Sequence, residues 1–192
     1  MTLDPGADSA SSATIASAWG PVALVATSRG VLAVELRSSA EAVRRLLRRR
    51  LGADGGLVDG VAPAGAGRFL EQAVSAVAAA LDGVPAPLEE IPLDWTGIAG
   101  WDRRVLEGAR TIGRGQVTSY GRLARRIGAP GAARAVGAAM GRNPFWLLVP
   151  CHRVVAGDGS IGGYGDDPDG TEIKRDLLAL EGIALPVADL ID

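Results

Sequence analysis

The chain of 192 residues contains one cysteine, one histidine and one lysine, and only 4% of it is aromatic. A lone cysteine cannot close an intramolecular disulfide, so this is not a disulfide-stapled fold, and it suits a reducing compartment. Zinc needs three or four clustered ligands; with Cys151 and His152 the only soft ones, the sequence argues against a metal site. No run of about 18 apolar residues exists, so no membrane-spanning helix is expected. Residues 1–13 carry Asp4 and Asp8 but no basic residue. They lack the charged start and apolar stretch of a signal peptide and read as a disordered lead on a cytoplasmic protein.

What is present is apolar and unevenly charged. A hydrophobic fraction of 47% is enough for one compact domain or two small ones. The net charge of −2 hides a strong segregation. Residues 1–100 carry −3, residues 101–155 carry +8 and residues 156–192 carry −7. The central block has the electrostatic footprint of a phosphate binder, masked in the total. Nineteen of the 20 basic residues are Arg. That bias follows from a GC-rich genome as readily as from phosphate contacts, so the clustering is the stronger signal.

The apolar runs 21–27 and 31–37, joined by Ser28-Arg29-Gly30, read as a β-hairpin. Residues 39–51 have helical periodicity, with Ala42, Val43, Leu46 and Leu47 on one face and Arg44, Arg45, Arg48 and Arg49 on the other. Residues 52–67 read as a Gly-rich loop around a weak strand, 69–81 as a helix and 85–93 as an extended strand. From about Trp95 the character changes. Helices are expected over 101–111, 120–127 and 132–140, with Thr118 or Ser119 capping the second and Gly128-Ala129-Pro130-Gly131 turning into the third. That layout is a helix-turn-helix. The third helix exposes Ala132, Ala133, Ala135 and Gly137, with Arg134 projecting. It lacks the Asn, Gln and multiple Arg of a base-reading helix. Its small residues suit either close approach to any DNA sequence or tight helix packing. Residues 145–149 read as a buried strand, 156–170 as a Gly/Asp-rich loop and 171–181 as a last helix closed by Gly182.

Cys151 and His152 are adjacent at the end of that apolar strand. Thiolate is the reactive form of cysteine, and an imidazole can take its proton directly or through water. A buried carboxylate would then hold the useful tautomer. A single Cys is more often an inert core thiol. The inert reading weakens where the only Cys and only His are neighbours, follow a proline and adjoin a +8 segment.

Asn143-Pro144 and Pro150-Cys151-His152-Arg153-Val154 resemble the active-site signature of the O6-alkylguanine-DNA alkyltransferases. Three further segments match in order and spacing: residues 117–124 (VTSYGRLA), 133–137 (ARAVG) and 177–182 (LLALEG). The likeness is firm over 95–183 and looser upstream.

The resemblance implies an α/β protein with two lobes: an N-terminal ribonuclease H-like lobe over 14–94, with a small antiparallel sheet, and a mostly helical lobe over 95–185 containing the helix-turn-helix. Residues 186–192 would be a tail. It implies DNA repair by stoichiometric transfer of an alkyl group, mainly methyl, from O6-alkylguanine to Cys151, with O4-methylthymine as a further substrate. The protein would act as a monomer, without a cofactor, on the minor groove of double-stranded DNA. His152 would take the thiol proton through a water and Glu181 would orient His152. Arg134 would fill the gap left by the extruded nucleotide, since the O6 carbon is out of reach inside the stack. Tyr120 would press on the 3′ phosphate and donate to N3 of the purine. Asn143 would tie the recognition helix to the active-site strand. Met140 and Tyr164 would flank the base, the backbone of Val154 would meet its exocyclic amine, and the amide of Gly165 would bond O6. Without the resemblance Tyr120 reads as a core aromatic, Asn143 as a turn residue and Glu181 as a surface acid. Arg153 is expected to brace the fold against an acid.

Three places depart from the family pattern. Trp101-Asp102 and Leu106 stand where Phe-Gln and then Trp are usual. Trp146 is expected to narrow the alkyl pocket against bulky groups such as benzyl. The loop 165–171 is longer than usual and carries Asp166, Asp167 and Asp169, which should repel phosphate. Two other roles use similar parts: a DNA-damage sensor without chemistry, whose relatives replace the cysteine, and a helix-turn-helix regulator, which the bare helix disfavours. A cysteine hydrolase would need turnover.

Overall fold

The computed structural model describes residues 9–52, 56–57, 66–164, 170–186 and 190–191. The chain divides into two compact units. One comprises residues up to 80 together with 86–98 and 144–148; the other comprises 81–85, 99–143 and the chain from 149 onward. Trp95 falls in the first unit, which runs to residue 98 before the second resumes at 99, and each unit takes in a segment from elsewhere in the chain.

The first unit is built on a four-stranded sheet of order β3-β2-β1-β4. Strands β1 (Ser9–Ile15), β2 (Val22–Thr27) and β3 (Gly30–Leu36) pair antiparallel, and the short β4 (Gly56–Leu57) runs parallel to β1. Residues 9–13, expected within a disordered lead, are thus sheet: Ala13 pairs with Leu24 and Ser11 with Ala26. The hairpin forms because Ser28-Arg29 turns two β-branched, apolar runs back on each other. Every residue of β2 is buried, which explains its unbroken apolar run.

Helix α1 (Ala40–Leu51) starts where the Ser39 side chain accepts from the Ala42 amide, a cap contributing about 1 kcal/mol. Val43, Leu46 and Leu47 pack with Ala23, Val25 and Leu32 of the sheet. Burial of each such side chain contributes about 1.5–3 kcal/mol. Arg50, which follows the expected basic face of Arg44, Arg45, Arg48 and Arg49, does not point to solvent. It is buried, donates to the carbonyls of Leu32 (3.1 Å), Asp94 (2.8 Å) and Thr96, and lies over the Phe145 ring.

Helix α2 (Ala66–Leu81) begins three residues earlier than the periodicity indicated. Two expected strands are not strands. Residues 85–93 contain a 3-10 turn, Leu88–Glu90, and pair with the sheet, among the described residues, in a single Val31–Leu93 bridge. Residues 145–149 are buried, but pairing reduces to one Val34–Phe145 bridge, and Leu147 turns the chain with φ +66°. An apolar run reports burial, not extension, which is why periodicity misread both.

The second unit packs α3 (Gly100–Arg110), α4 (Tyr120–Arg126) and α5 (Ala133–Gly141) around Val105, Leu106, Ala109, Leu123, Val136 and Ala139. Gly108 lets α3 and α4 meet closely: a Cβ there would stand 2.5 Å from Ile127 Cγ2. Ser119 caps α4, accepting from the Arg122 amide at 3.2 Å. Strands β5 (Thr118–Ser119) and β6 (Val154–Val155) pair in parallel, and α6 (Gly170–Leu180) packs Leu178 against Val117 and Val155. Part of the expected tail belongs to this unit. The Ile191 amide donates to the Val117 carbonyl at 2.8 Å and Thr118 Oγ1 donates to the Ile191 carbonyl at 2.7 Å.

Candidate active site

Cys151 opens a one-turn 3-10 helix, Cys151–Arg153, directly after Pro150, and its backbone amide donates to the Val149 carbonyl at 2.8 Å. The side chain is partly exposed and lines a cavity of about 550 Å³ within the second unit. Tyr120, Gly137, Met140, Arg142 and Tyr164 share that lining. The elements converge because β5 runs straight into Tyr120 at the start of α4, α5 ends at Gly141, and the 3-10 turn precedes β6, the partner of β5. Asn143 Nδ2 donates to the Val149 carbonyl at 3.0 Å and to Cys151 Sγ at 3.5 Å. It therefore links the end of α5 to the thiol.

His152 is buried and its Nε2 lies 3.0 Å from Glu181 Oε1. The same carboxylate accepts from Arg153 Nε (2.9 Å to Oε2) and Nη2 (2.7 Å to Oε1), and from the Gly115 amide at 3.3 Å. Arg153 also donates from Nη1 to the Ile112 carbonyl at 2.6 Å. Burial lowers the His152 pKa, partly opposed by Glu181, so the ring is neutral at neutral pH. Burial alone would raise the Glu181 pKa, but hydrogen bonds from His152 and Arg153 hold it down at about 2. A neutral ring donating to Glu181 through Nε2 carries its lone pair on Nδ1. Nδ1 is buried and has no hydrogen-bond partner among the described residues.

Two tyrosines wall the cavity. The Tyr120 hydroxyl donates to the Gly163 carbonyl at 3.3 Å, and burial pushes its pKa up to about 12. It keeps its proton across the neutral range. Sequence reasoning missed Lys174, the only lysine. It is fully buried, donating to the carbonyls of Val154 (2.7 Å) and Gly163 (3.1 Å), and its Nζ lies 5.7 Å from the Tyr120 ring centre and 5.8 Å from that of Tyr164. Burial lowers its pKa to about 8, with the nearby Cys151 acting in the opposite direction. One signal was available: Lys174 lies on the Ile173, Leu177, Leu178 stripe of α6, where a surface lysine does not belong.

On α5, Arg134 and Ala135 are exposed, Ala132, Ala133 and Gly137 are half-buried, and Val136, Ala139 and Met140 face the core. A Cβ at Gly137 would come within 3.8 Å of the Tyr120 ring. Val154 is fully buried and its carbonyl is engaged by Lys174. Trp146, expected beside the alkyl pocket, belongs to the first unit, in the segment that carries the Val34–Phe145 bridge. There it is buried edge-on to Trp19, with ring centres 6.3 Å apart. Gly165 and the acidic residues Asp166, Asp167 and Asp169 lie outside the described residues.

A family model described as 6-O-methylguanine DNA methyltransferase, DNA binding domain, matches residues 100–183. The methylated-DNA–protein-cysteine methyltransferase of Mycolicibacterium paratuberculosis is 50% identical over 92 residues, 48% of this chain and 53% of the relative. That of Methanothermobacter thermautotrophicus is 40% identical over 105 residues, 55% of this chain and 57% of the relative. The chain thus spans about half the length of the curated relatives it matches. The crystal structure of the Mycobacterium tuberculosis O6-methylguanine methyltransferase is similar over 90% of this chain and 92% of its own, with 30% identity and a TM-score of 0.69. A structure of the M. tuberculosis protein in complex with DNA has 32% identity over the same shares and a TM-score of 0.69.

Proposed function

The chain belongs to the O6-methylguanine-DNA methyltransferase family, and from that premise we propose that it repairs DNA by moving the alkyl group of O6-alkylguanine irreversibly onto Cys151. The carrying observation is the cavity: the only thiol lines it, next to a buried imidazole whose Nδ1 lone pair is unclaimed among the described residues.

In the proposed reaction a water relays the Cys151 proton to His152 Nδ1. The thiolate Sγ attacks the alkyl carbon in line as the carbon–O6 bond breaks, and the electron pair leaves on the guanine. Glu181 stabilises the imidazolium, at little cost because the carboxylate is already ionised and oriented by Arg153. Tyr120 retains its proton and can exchange its bond to the Gly163 carbonyl for one to N3, stabilising the departing purine anion. The product thioether has no leaving route, so each molecule acts once.

The target must leave the base stack to reach the thiol. Helices α4 and α5 act as a helix-turn-helix, with the small residues of α5 against the minor groove and Arg134 in the vacated position. Asn143 couples that helix to the thiol. Duplex DNA is the partner, and the protein acts on it as a monomer in the cytoplasm. Methyl is the main group transferred, from O6 of guanine and from O4 of thymine. Intact mass after incubation with an O6-methylguanine duplex tests the reading. The expected result is a gain of one methyl that maps to Cys151 and vanishes in Cys151→Ala; no gain refutes it.

A further inference from the structure

Arg142 lies at the end of α5, immediately before Asn143, and lines the cavity with its side chain 57% exposed. It is not a loose surface arginine. Its Nε donates to Asp102 Oδ2 at 2.8 Å and its Nη2 to Oδ1 at 2.7 Å, the parallel two-bond geometry of an arginine–carboxylate fork. Asp102 stands in the first turn of α3 and is itself 15% exposed. A guanidinium has five N–H donors, and this fork uses two of them. The donors of Nη1 and the second of Nη2 have no partner among the described residues. Asp102 thus engages the Nε/Nη2 edge of the guanidinium and leaves the Nη1/Nη2 edge, with its two parallel donors, on a side chain that lines the cavity. That edge has the spacing that matches two oxygens of a phosphate.

We propose that Arg142, oriented by Asp102, is the anchor for a DNA backbone phosphate next to the extruded nucleotide. This rests on the alkyl-transfer reading of the same cavity. A free guanidinium on a four-bond stem would lose rotamer freedom on meeting a phosphate; here that loss is taken in the folded protein. The anchor also sets register. Arg142 is the neighbour of Asn143, whose amide contacts Cys151 Sγ, so a phosphate held there is placed relative to the thiol through one short stretch of backbone.

The roles of charge and orientation predict opposite signs for Asp102. If Arg142 acts only as a positive charge, removing the nearby acid strengthens DNA binding. If Asp102 orients the fork, removing it weakens binding despite deleting a negative charge. The test measures affinity of the full chain, in a Cys151→Ser background, for an O6-methylguanine duplex across a salt series. Arg142→Ala is expected to bind about tenfold more weakly at low salt and to lower the log–log salt slope by about 0.9, one phosphate contact. Arg142→Lys keeps the slope and binds about threefold more weakly, retaining charge without the fork. Asp102→Ala also binds about threefold more weakly. A role limited to tying α3 to α5 leaves the slope unmoved. An unchanged slope in Arg142→Ala, or tighter binding by Asp102→Ala, overturns the proposal. The unsubstituted chain is incubated with the same duplex in parallel: no methyl gain takes down the alkyl-transfer reading, while methyl gain with an unchanged slope takes down the phosphate anchor alone.

Discussion

At the scale of single side chains the site depends on one carboxylate with three claimants. Glu181 receives His152, both faces of the Arg153 fork and the Gly115 amide. Glu181→Gln leaves a buried guanidinium without its counter-charge and is expected to destabilise the protein by about 3 kcal/mol, read as a lowered urea midpoint. The pH dependence has a definite sign. The folded pKa of Glu181 is about 2, below its ordinary 4.5, and that of His152 is lowered from 6.5. Both groups bind protons more readily in the unfolded chain. The stability His152 contributes is therefore complete above pH 6.5 and falls as its unfolded form protonates. That of Glu181 is complete above about 4.5 and is lost as pH falls toward 2. Urea midpoints of the wild type should decline in two acid steps. In a Glu181→Gln variant the lower step should shrink to what remains from Asp94, whose carboxyl, despite burial, is also held below its ordinary value by hydrogen bonds from Thr27, Thr96 and Arg29.

At the scale of elements, short pieces are held by caps and close approaches more than by propensity. Helix α4 has seven residues, too few to persist alone. Ser119→Ala removes its cap and should cost about 1 kcal/mol, seen as a Tm lower by several degrees. Since Tyr120 is the first residue of α4, the transfer rate should fall with it. Gly170 makes a sharper test. A Cβ there would lie 2.1 Å from the Tyr164 carbonyl oxygen, a clash with backbone that no rotamer change relieves. Gly170→Ala should therefore displace a cavity wall and slow transfer, although alanine favours the helix itself by about 1 kcal/mol. Faster or unchanged transfer in a stopped-flow assay would contradict this placement of the Tyr164 wall.

At the scale of the whole molecule, charge is divided by segment more than by total. The +8 of residues 101–155 falls almost wholly within the second unit, where the cavity lies. The acids Asp166, Asp167 and Asp169 are expected to oppose it; Tyr164, which precedes them in the chain, lines the cavity. Changing Asp166, Asp167 and Asp169 together to Asn should tighten DNA binding several-fold at low salt, and the gain should vanish near 1 M salt, where the screening length is about 3 Å. Equal affinity of the two proteins at low salt would show that these charges do not reach the DNA.

The hairpin, the helices of both units and the adjacent Cys151-His152 pair were legible because each is written locally, in apolar period, in capping residues or in adjacency. The resemblance supplied the long-range members Tyr120, Asn143 and Glu181, whose residue types are otherwise ordinary. The rest was decided in three dimensions. Arg50 and Lys174 are cations in sequence but buried in the fold, because backbone carbonyls far along the chain converge to satisfy them. Trp146, five residues from Cys151 in sequence, packs edge-on against Trp19 within the first unit, in the segment joined to the sheet by the Val34–Phe145 bridge. Asp102 and Arg142, 40 residues apart, form a fork only because α3 packs on α5. A sequence specifies which groups are available and the local geometry of each; which of them meet depends on packing between elements that local pattern does not encode.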